Sequence, residues 1–272
     1  MEQSPFEDTR FEDTRFKDTR FKDTRFRDKV AVVTGAASGI GRATALRLAE
    51  EGAATACLDL SAEGLAEVTG LIESAGGSTC GVACDVSDLE STRQGVASVV
   101  ERFGPPNILC NIAGIGRFHH SAELPFEEWQ RIIGVNLTGT FLMVQAVLPH
   151  MIDRGGVIVN TASTSGLQAQ PFQAAYCASK GGVVMLTKAL AAEYLDRKVR
   201  INAIAPGGVD TPIISSFSAM PEGVDFKRFM RYMSPLGFCQ PGDLASLYAY
   251  VASDEAYYMT GSIVTMDGGI TL

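Results

Sequence analysis

Ser163, Tyr176 and Lys180 are a set of residues that can move a proton to and from an alcohol oxygen. The serine lies thirteen residues before a Tyr-Cys-Ala-Ser-Lys run. A tyrosine four residues before a lysine on a helix puts both side chains on one face. The ordinary tyrosine pKa is about 10. A cation about 4 Å away, at an effective dielectric of about 20, favours the phenolate by roughly 4 kcal/mol. That is enough to draw the phenol toward neutrality, where an acid/base group is most effective. Alone, Tyr-x-x-x-Lys also describes an ordinary helix surface, and Thr164 and Ser165 offer further hydroxyls beside Ser163.

Upstream stands Thr34-Gly35-Ala36-Ala37-Ser38-Gly39-Ile40-Gly41, preceded by the apolar run Val30 to Val33. A strand, a glycine-rich turn and a helix start make a cradle whose backbone N–H groups face an anion. Past residue 25, apolar β-rich runs alternate with helical patterns, the sequence form of a parallel sheet covered on both faces. Strands are expected at Val30–Thr34, Ala53–Leu58, Thr79–Cys84, Asn107–Asn111, Val157–Thr161, Arg200–Ile204 and Ile263–Met266. Helices are expected to start near Gly39, Ala62, Asp88, Phe126, Ala174 and Pro241. The fold class is therefore α/β, a single-domain Rossmann-type doubly wound parallel sheet of about seven strands with helices on both faces. Such a sheet binds ligands at the carboxyl ends of its strands. Gly35, Asp59, Asp85, Asn111, Ser163 and Pro206 all fall just after, or at the end of, successive expected strands.

This combination resembles the short-chain dehydrogenase/reductase family over about residues 26 to 272. The family's glycine pattern is matched from Thr34 to Gly41, and its Asn-Asn-Ala-Gly element by Asn111-Ile112-Ala113-Gly114. Its helix asparagine falls at Asn136, its serine at Ser163, and its Tyr-x-x-x-Lys at Tyr176 and Lys180. Pro206-Gly207 and Asp267-Gly268-Gly269 complete the pattern. Ile112 is the one departure, and it bears on a local turn contact.

The resemblance implies an NAD(P)-dependent oxidoreductase and assigns roles. Tyr176 exchanges the proton with the substrate oxygen, Ser163 hydrogen-bonds that oxygen, and Lys180 lowers the tyrosine pKa and holds the nicotinamide ribose. Asn136 positions a water that links Lys180 to solvent. The dinucleotide is expected against Gly35, Ser38, Gly39, Ile40 and Gly41 at its phosphates, and against Asp85 and Val86 at its adenine. Asn111, Ala113 and Gly114 follow the fourth strand; Pro206, Gly207, Val209 and Thr211 follow the sixth, with Thr211 on the carboxamide. Asp59 ends the second strand, 18 residues beyond Gly41, where a carboxylate accepts from ribose hydroxyls and repels a 2′-phosphate. Ala36, Ala37 and Leu60 stand where NADP-binding relatives place cations. NAD is the expected cofactor, with NADP second. Asp59 as a loop cap and Asp85 as a helix N-terminal residue are the competing structural readings.

Residues 208 to 240 are expected to cover the substrate. Ile213, Ile214, Phe217, Met220, Phe226, Phe229, Met230, Tyr232 and Met233 make that stretch apolar. With Phe118, Gln168 and Phe172 as further walls, it points to a hydrophobic secondary alcohol or ketone. The same residues also suit packing against the domain or a neighbouring subunit. A 3-oxoacyl thioester reductase using NADPH is the alternative enzyme. A catalytically silent nucleotide-binding scaffold is the alternative outside catalysis, disfavoured because all four catalytic positions are present.

Residues 6 to 25 repeat a five-residue unit, Phe-Glu-Asp-Thr-Arg twice and then Phe-Lys-Asp-Thr-Arg twice. Phe26-Arg27-Asp28-Lys29-Val30 is a degenerate fifth copy that enters the first strand. Phenylalanines five apart fit neither helical nor strand periodicity, so residues 1 to 25 are expected to be a disordered tail. The alternative is a docking segment for a neighbouring subunit or another protein.

The chain has 272 residues and a net charge of −8, which argues against a nucleic-acid footprint. No uninterrupted apolar stretch approaches membrane-spanning length, and no secretory signal is expected. The six cysteines (57, 80, 84, 110, 177 and 239) include no Cys-x-x-Cys pair, which suits buried thiols in a reducing cytoplasm. His119, His120 and His150 have no ligand-spaced company, so no metal is expected. The family resemblance implies a homotetramer.

Overall fold

The computed structural model describes residues 25–217, 222 and 232–272. The repeats up to residue 24, and Met220, Phe226, Phe229 and Met230 of the expected lid, lie outside the described residues. The described chain begins at Arg25, whose guanidinium holds Glu51, while Phe26 is 1% exposed in the core. The last copy of the repeat thus supplies the anchor that leads into the first strand.

Seven strands form one parallel sheet: β1 Val30–Thr34, β2 Ala54–Asp59, β3 Thr79–Ala83, β4 Ile108–Asn111, β5 Gly156–Thr161, β6 Val199–Pro206 and β7 Ile263–Met266. Their order is β3-β2-β1-β4-β5-β6-β7, so the connections reverse direction between β1 and β4. All five β1 residues are buried, because in a doubly covered sheet both faces of a strand meet helices. Ala31 and Val33 pack on one face with α1 (Gly39–Glu50), α2 (Ala62–Ser74) and α8 (Pro241–Ala252). Val30 and Val32 pack on the other with α3 (Leu89–Phe103), α5 (Gly139–Val147) and α6 (Ala174–Glu193). Two further helices, α4 (Phe126–Ile133) and the short α7 (Ile213–Ser216), complete the set.

Strand ends differ from the sequence reading by a residue or two. Asp59 belongs to β2, pairing with Ala83, and β6 runs on to Pro206, opposite Met266. A proline is tolerated there because it closes the strand, and Gly207 supplies the next N–H to the Met266 carbonyl (3.1 Å).

Between α4 and α5 the helix widens into a π-turn, Gly134–Thr138, which the sequence did not signal. This turn carries Asn136 into the interior at 0% exposure. The helical run Phe126–His150 has 25 residues and holds an 18-residue window with a mean hydropathy of 1.6, long and apolar enough to cross a membrane by length and composition. Glu127, Glu128, Arg131 and Asn136 interrupt its apolar residues, so the run holds no uninterrupted apolar stretch of that length. In the fold, α4 packs on α6 and α5 on α3, with Ile132, Met143, Val144 and Val147 buried.

A buried polar network joins the strand ends. Thr161 Oγ1 donates to the Asn111 carbonyl (2.5 Å) and meets the Tyr248 hydroxyl of α8 (2.6 Å). Asn111 Nδ2 donates to Asn160 Oδ1, and Asn160 Nδ2 to Thr187 Oγ1, each at 3.0 Å. With the Thr161 proton directed at Asn111, Tyr248 donates to Thr161. Tyr248→Phe removes that single bond and leaves the ring in place. The expected loss is about 1 kcal/mol, read as a fall of about 2–4 °C in thermal midpoint. An unchanged midpoint would mean that this hydroxyl contributes nothing to holding α8 on the sheet.

Candidate active site

The carboxyl ends of the strands open onto a cavity of about 690 Å³. At one end lies the turn from β1 into α1. Gly35 has φ of +67°, and a Cβ on it would stand 2.9 Å from the Ala113 backbone. A Cβ on Gly41 would stand 2.0 Å from the Gly35 carbonyl oxygen. Only hydrogen fits at either place. Ser38 is the N-cap of α1, yet its side chain makes no capping bond, and the first turn holds no acid. The first N–H groups of α1 therefore face the cavity, with Ser38, Gly39, Ile40 and Gly41 lining it. This cradle fits a dinucleotide pyrophosphate.

Thr34 Oγ1 accepts from Ile112 N (2.9 Å) and Ala113 N (3.1 Å), clamping the β1 turn to the end of β4. Both bonds use backbone donors, and the Ile112 side chain packs into the core. The departure from the family's asparagine therefore leaves this clamp intact.

Asp59 lines the cavity beyond the glycines. Its Oδ2 accepts from Ala37 N (3.1 Å) and its Oδ1 from Ser61 N (3.0 Å). The carboxylate thus caps the glycine turn and also faces the cleft, which joins the two readings that the sequence had set against each other. Leu60 beside it is 71% exposed. Arg42, which directly follows the glycine turn, pairs with Glu67 at 2.6 Å. Asp85 Oδ1 accepts from the Ser87 N–H (2.9 Å) and hydroxyl (2.6 Å), while the N-cap of α3 is Asp88. Asp85 and Val86 both line the cavity.

Ser163, Tyr176 and Lys180 meet at the other end of the cavity. Ser163 Oγ accepts from Ser165 N (3.1 Å), and its side chain lies near enough to the Tyr176 hydroxyl to lower the phenol's pKa. Lys180 is 3% exposed, and its Nζ donates to the Thr161 carbonyl (2.8 Å), 5.8 Å from the centre of the Tyr176 ring. The electrostatics reverse the expected direction. Burial pushes the Tyr176 phenol up to about 12, outweighing the Ser163 side chain that lowers it. Burial likewise pulls Lys180 down to about 8. The lysine is held by a carbonyl rather than aimed at the phenol oxygen, and desolvation disfavours the charge on both groups.

Asn136 and Asn111 stand behind the cavity wall. Asn136 Oδ1 accepts from Ile115 N (2.8 Å), while its Nδ2 donates to Ile115 O (2.8 Å) and Ser179 Oγ (3.0 Å). A Cβ on Gly114 would lie 3.4 Å from Asn136 Oδ1 and 3.5 Å from Lys180 Nζ, so this glycine alone separates the two. The Asn111 side chain belongs to the buried network, and its Oδ1 lacks a hydrogen-bond partner. Ala113, Gly114, Pro206, Gly207, Val209 and Thr211 do line the cavity, and Thr211 Oγ1 donates to Val209 O (3.3 Å).

Apolar walls surround the catalytic end. The Phe217 ring stands edge-on to Tyr176 at 5.4 Å and tilted against Phe118 at 5.1 Å. Ile213, Ile214, Tyr232 and Met233 also line the cavity. Gln168 and Phe172 do not: Gln168 bonds the Ile270 carbonyl, and Phe172 stacks edge-on with His120. Gln170, Gln173, Phe238 and Ile270 line it instead and were missed by sequence reasoning. Only Gln173 carried a signal, standing one helical turn before Tyr176. The clamping role of Thr34, named only as the first residue of the glycine motif, and Tyr248 were missed as well, since their partners lie far away in the chain.

All six cysteines are free thiols, and burial raises the pKa of Cys177 beside the catalytic tyrosine. Among the described residues, no three His, Cys, Asp or Glu side chains could hold a metal ion.

Residues 35–271 match the family described as enoyl-(acyl carrier protein) reductase. The chain is 42% identical over 248 residues to 3beta-hydroxysteroid dehydrogenase 1 of Eggerthella lenta, covering 90% of this chain and 94% of that one. A 3-ketoacyl-(acyl-carrier-protein) reductase from Brucella melitensis complexed with NADH superimposes with a TM-score of 0.83 at 35% identity, over 91% of this chain and 100% of that one. The actinorhodin polyketide ketoreductase with NADPH superimposes with a TM-score of 0.83 at 36% identity, over 92% and 99%. The chain therefore belongs to the short-chain dehydrogenase/reductase family, an oxidoreductase acting on CH–OH groups through a nicotinamide cofactor.

Proposed function

We propose that this protein is an NAD-dependent dehydrogenase/reductase that interconverts a hydrophobic secondary alcohol and its ketone. The observation that carries this reading is one continuous cavity with Asp59 at one end, Ser163, Tyr176 and Lys180 at the other, and aromatic and aliphatic walls beside them. When bound, nicotinamide accepts a hydride from the alcohol carbon or returns it to the ketone carbon. Ser163 donates to the substrate oxygen and fixes its place. Tyr176 takes the hydroxyl proton during oxidation and gives it back during reduction. Lys180 binds the nicotinamide ribose and shares its charge with the phenolate. Asn136 braces the turn at Ile115 and, in this reading, positions a water that links Lys180 to solvent. The six free thiols suit a reducing, cytoplasmic setting, and exposed Phe141 and Met185 on α5 and α6 suit a homotetramer.

A second reading, reduction of a 3-oxoacyl thioester with NADPH, draws on the Brucella neighbour, a 3-ketoacyl-(acyl-carrier-protein) reductase. Asp59 opposes the NADPH half, because its charge faces the place of a 2′-phosphate and Arg42 is engaged by Glu67. Titration with NADH and NADPH separates the cofactors. NADH is expected to bind at least about tenfold tighter, a difference of about 1.4 kcal/mol. Tighter NADPH binding, together with turnover of acetoacetyl-CoA, would favour the second reading.

Tyr176→Phe removes the proton exchanger and keeps the ring. Turnover should fall by about 10²- to 10⁴-fold, with NADH affinity held within a few fold. Parallel loss of cofactor binding would assign Tyr176 to folding instead.

The pH dependence has a definite sign. A phenol at about 12 stays protonated at neutrality, the form that donates to a ketone oxygen. Oxidation needs the phenolate, so kcat/KM for the alcohol should climb with pH, with a break near pH 8 where Lys180 loses its charge. Reduction should not climb. Rate profiles measured in both directions from about pH 6 to about pH 10 decide it; a flat oxidation limb would remove Tyr176 as the base.

A further inference from the structure

We propose that Gln173 reads a second oxygen on the substrate, placed within two carbons of the reacting one. The preferred substrates are then hydrophobic vicinal or 1,3-diols and the matching hydroxyketones or diones. This rests on the dehydrogenase reading above and narrows it.

Gln173 is the N-cap of α6 and precedes Tyr176 by three residues, so the two side chains rise from one face. It is 6% exposed, and it lines the same cavity as Ser163 and Tyr176. Its Oε1 accepts from the Ser165 hydroxyl at 3.4 Å, and Ser165 N in turn donates to Ser163 Oγ at 3.1 Å. The amide is therefore oriented from the same short turn that positions the catalytic serine. With its oxygen end turned to Ser165, the NH₂ end is left over, and among the described residues no protein acceptor takes it. An amide donor left over in a cavity wall is placed to meet a ligand acceptor. Ser163 and Tyr176 already claim the reacting oxygen. One helical turn separates the Cβ atoms of Gln173 and Tyr176, about 5–6 Å, which suits two oxygens on neighbouring or next-neighbouring carbons. The aromatic and aliphatic walls from Phe118 and Phe217 accept the carbon frame.

The test compares matched substrate pairs on the purified full chain with NAD⁺ or NADH: cyclohexanol with 1,2-cyclohexanediol, and cyclohexanone with 1,2-cyclohexanedione. The wild type is expected to favour the dioxygenated partner in kcat/KM by roughly 10- to 100-fold. Gln173→Leu should bring both ratios near one. Because each ratio is taken within one preparation, a poorly folded variant cannot mimic that result. Gln173→Glu can accept from a second hydroxyl but cannot donate to a second carbonyl, so it should retain the diol ratio and lose the dione ratio. A wild-type ratio near one, or a ratio unchanged in Gln173→Leu, overturns the assignment while leaving the dehydrogenase intact. Failure of all four compounds with both NAD and NADP cofactors overturns the underlying reading as well.

Discussion

The ammonium of Lys180 is buried, and the bond that holds it is the one to the Thr161 carbonyl. An isolated buried charge is costly, so the site depends on that carbonyl being where it is. Its position is set from three directions. Thr161 ends β5, pairs with Ile204 of β6, and its hydroxyl ties the Asn111 carbonyl at the end of β4. Tyr248 reaches in from α8 on the other side. A helix far along the chain therefore shares in placing Lys180, although it contributes nothing to the cavity lining.

Burial governs the chemistry as well as the structure. The simple Coulomb argument makes the lysine draw down the tyrosine, but it assumes an ammonium aimed at the phenol oxygen in a moderately polar medium. Here desolvation acts on both groups in the direction of neutrality, raising Tyr176 and lowering Lys180. The two effects leave a protonated acid beside a lysine that titrates near pH 8. Such a pair is ready to donate at neutral pH and becomes a base only as the medium turns alkaline.

Most of the fold was legible because its signals are local. Buried parallel strands read as short β-branched runs, and Val30–Thr34 and Ile263–Met266 stand where the sequence put them. The glycine turn was legible because Gly35 and Gly41 each lack room for a Cβ, a constraint that leaves its mark on residue type. What escaped was relational. Thr34 bonds backbone donors 78 and 79 residues away, a contact that its place in the glycine motif does not announce, and Tyr248 meets a threonine 87 residues away with no short motif around it. The π-turn around Asn136 has no periodicity of its own, being one extra residue in a helical turn.

Asp59 shows why one residue can defeat a choice between structural and functional readings. Its two oxygens hold Ala37 N and Ser61 N, so it shapes the turn that cradles the phosphates and starts the next loop. Each carboxylate oxygen has a second lone pair. The bonds that order the turn therefore leave acceptor capacity toward the cleft, and they also fix the charge in place. A carboxylate so fixed cannot swing aside for a 2′-phosphate without releasing Ala37 and disturbing the glycine turn. In the proposed reading, cofactor preference and the integrity of the phosphate cradle are thus coupled through one side chain. A neutral replacement that admitted a phosphate would weaken the cradle that has to bind the rest of the dinucleotide.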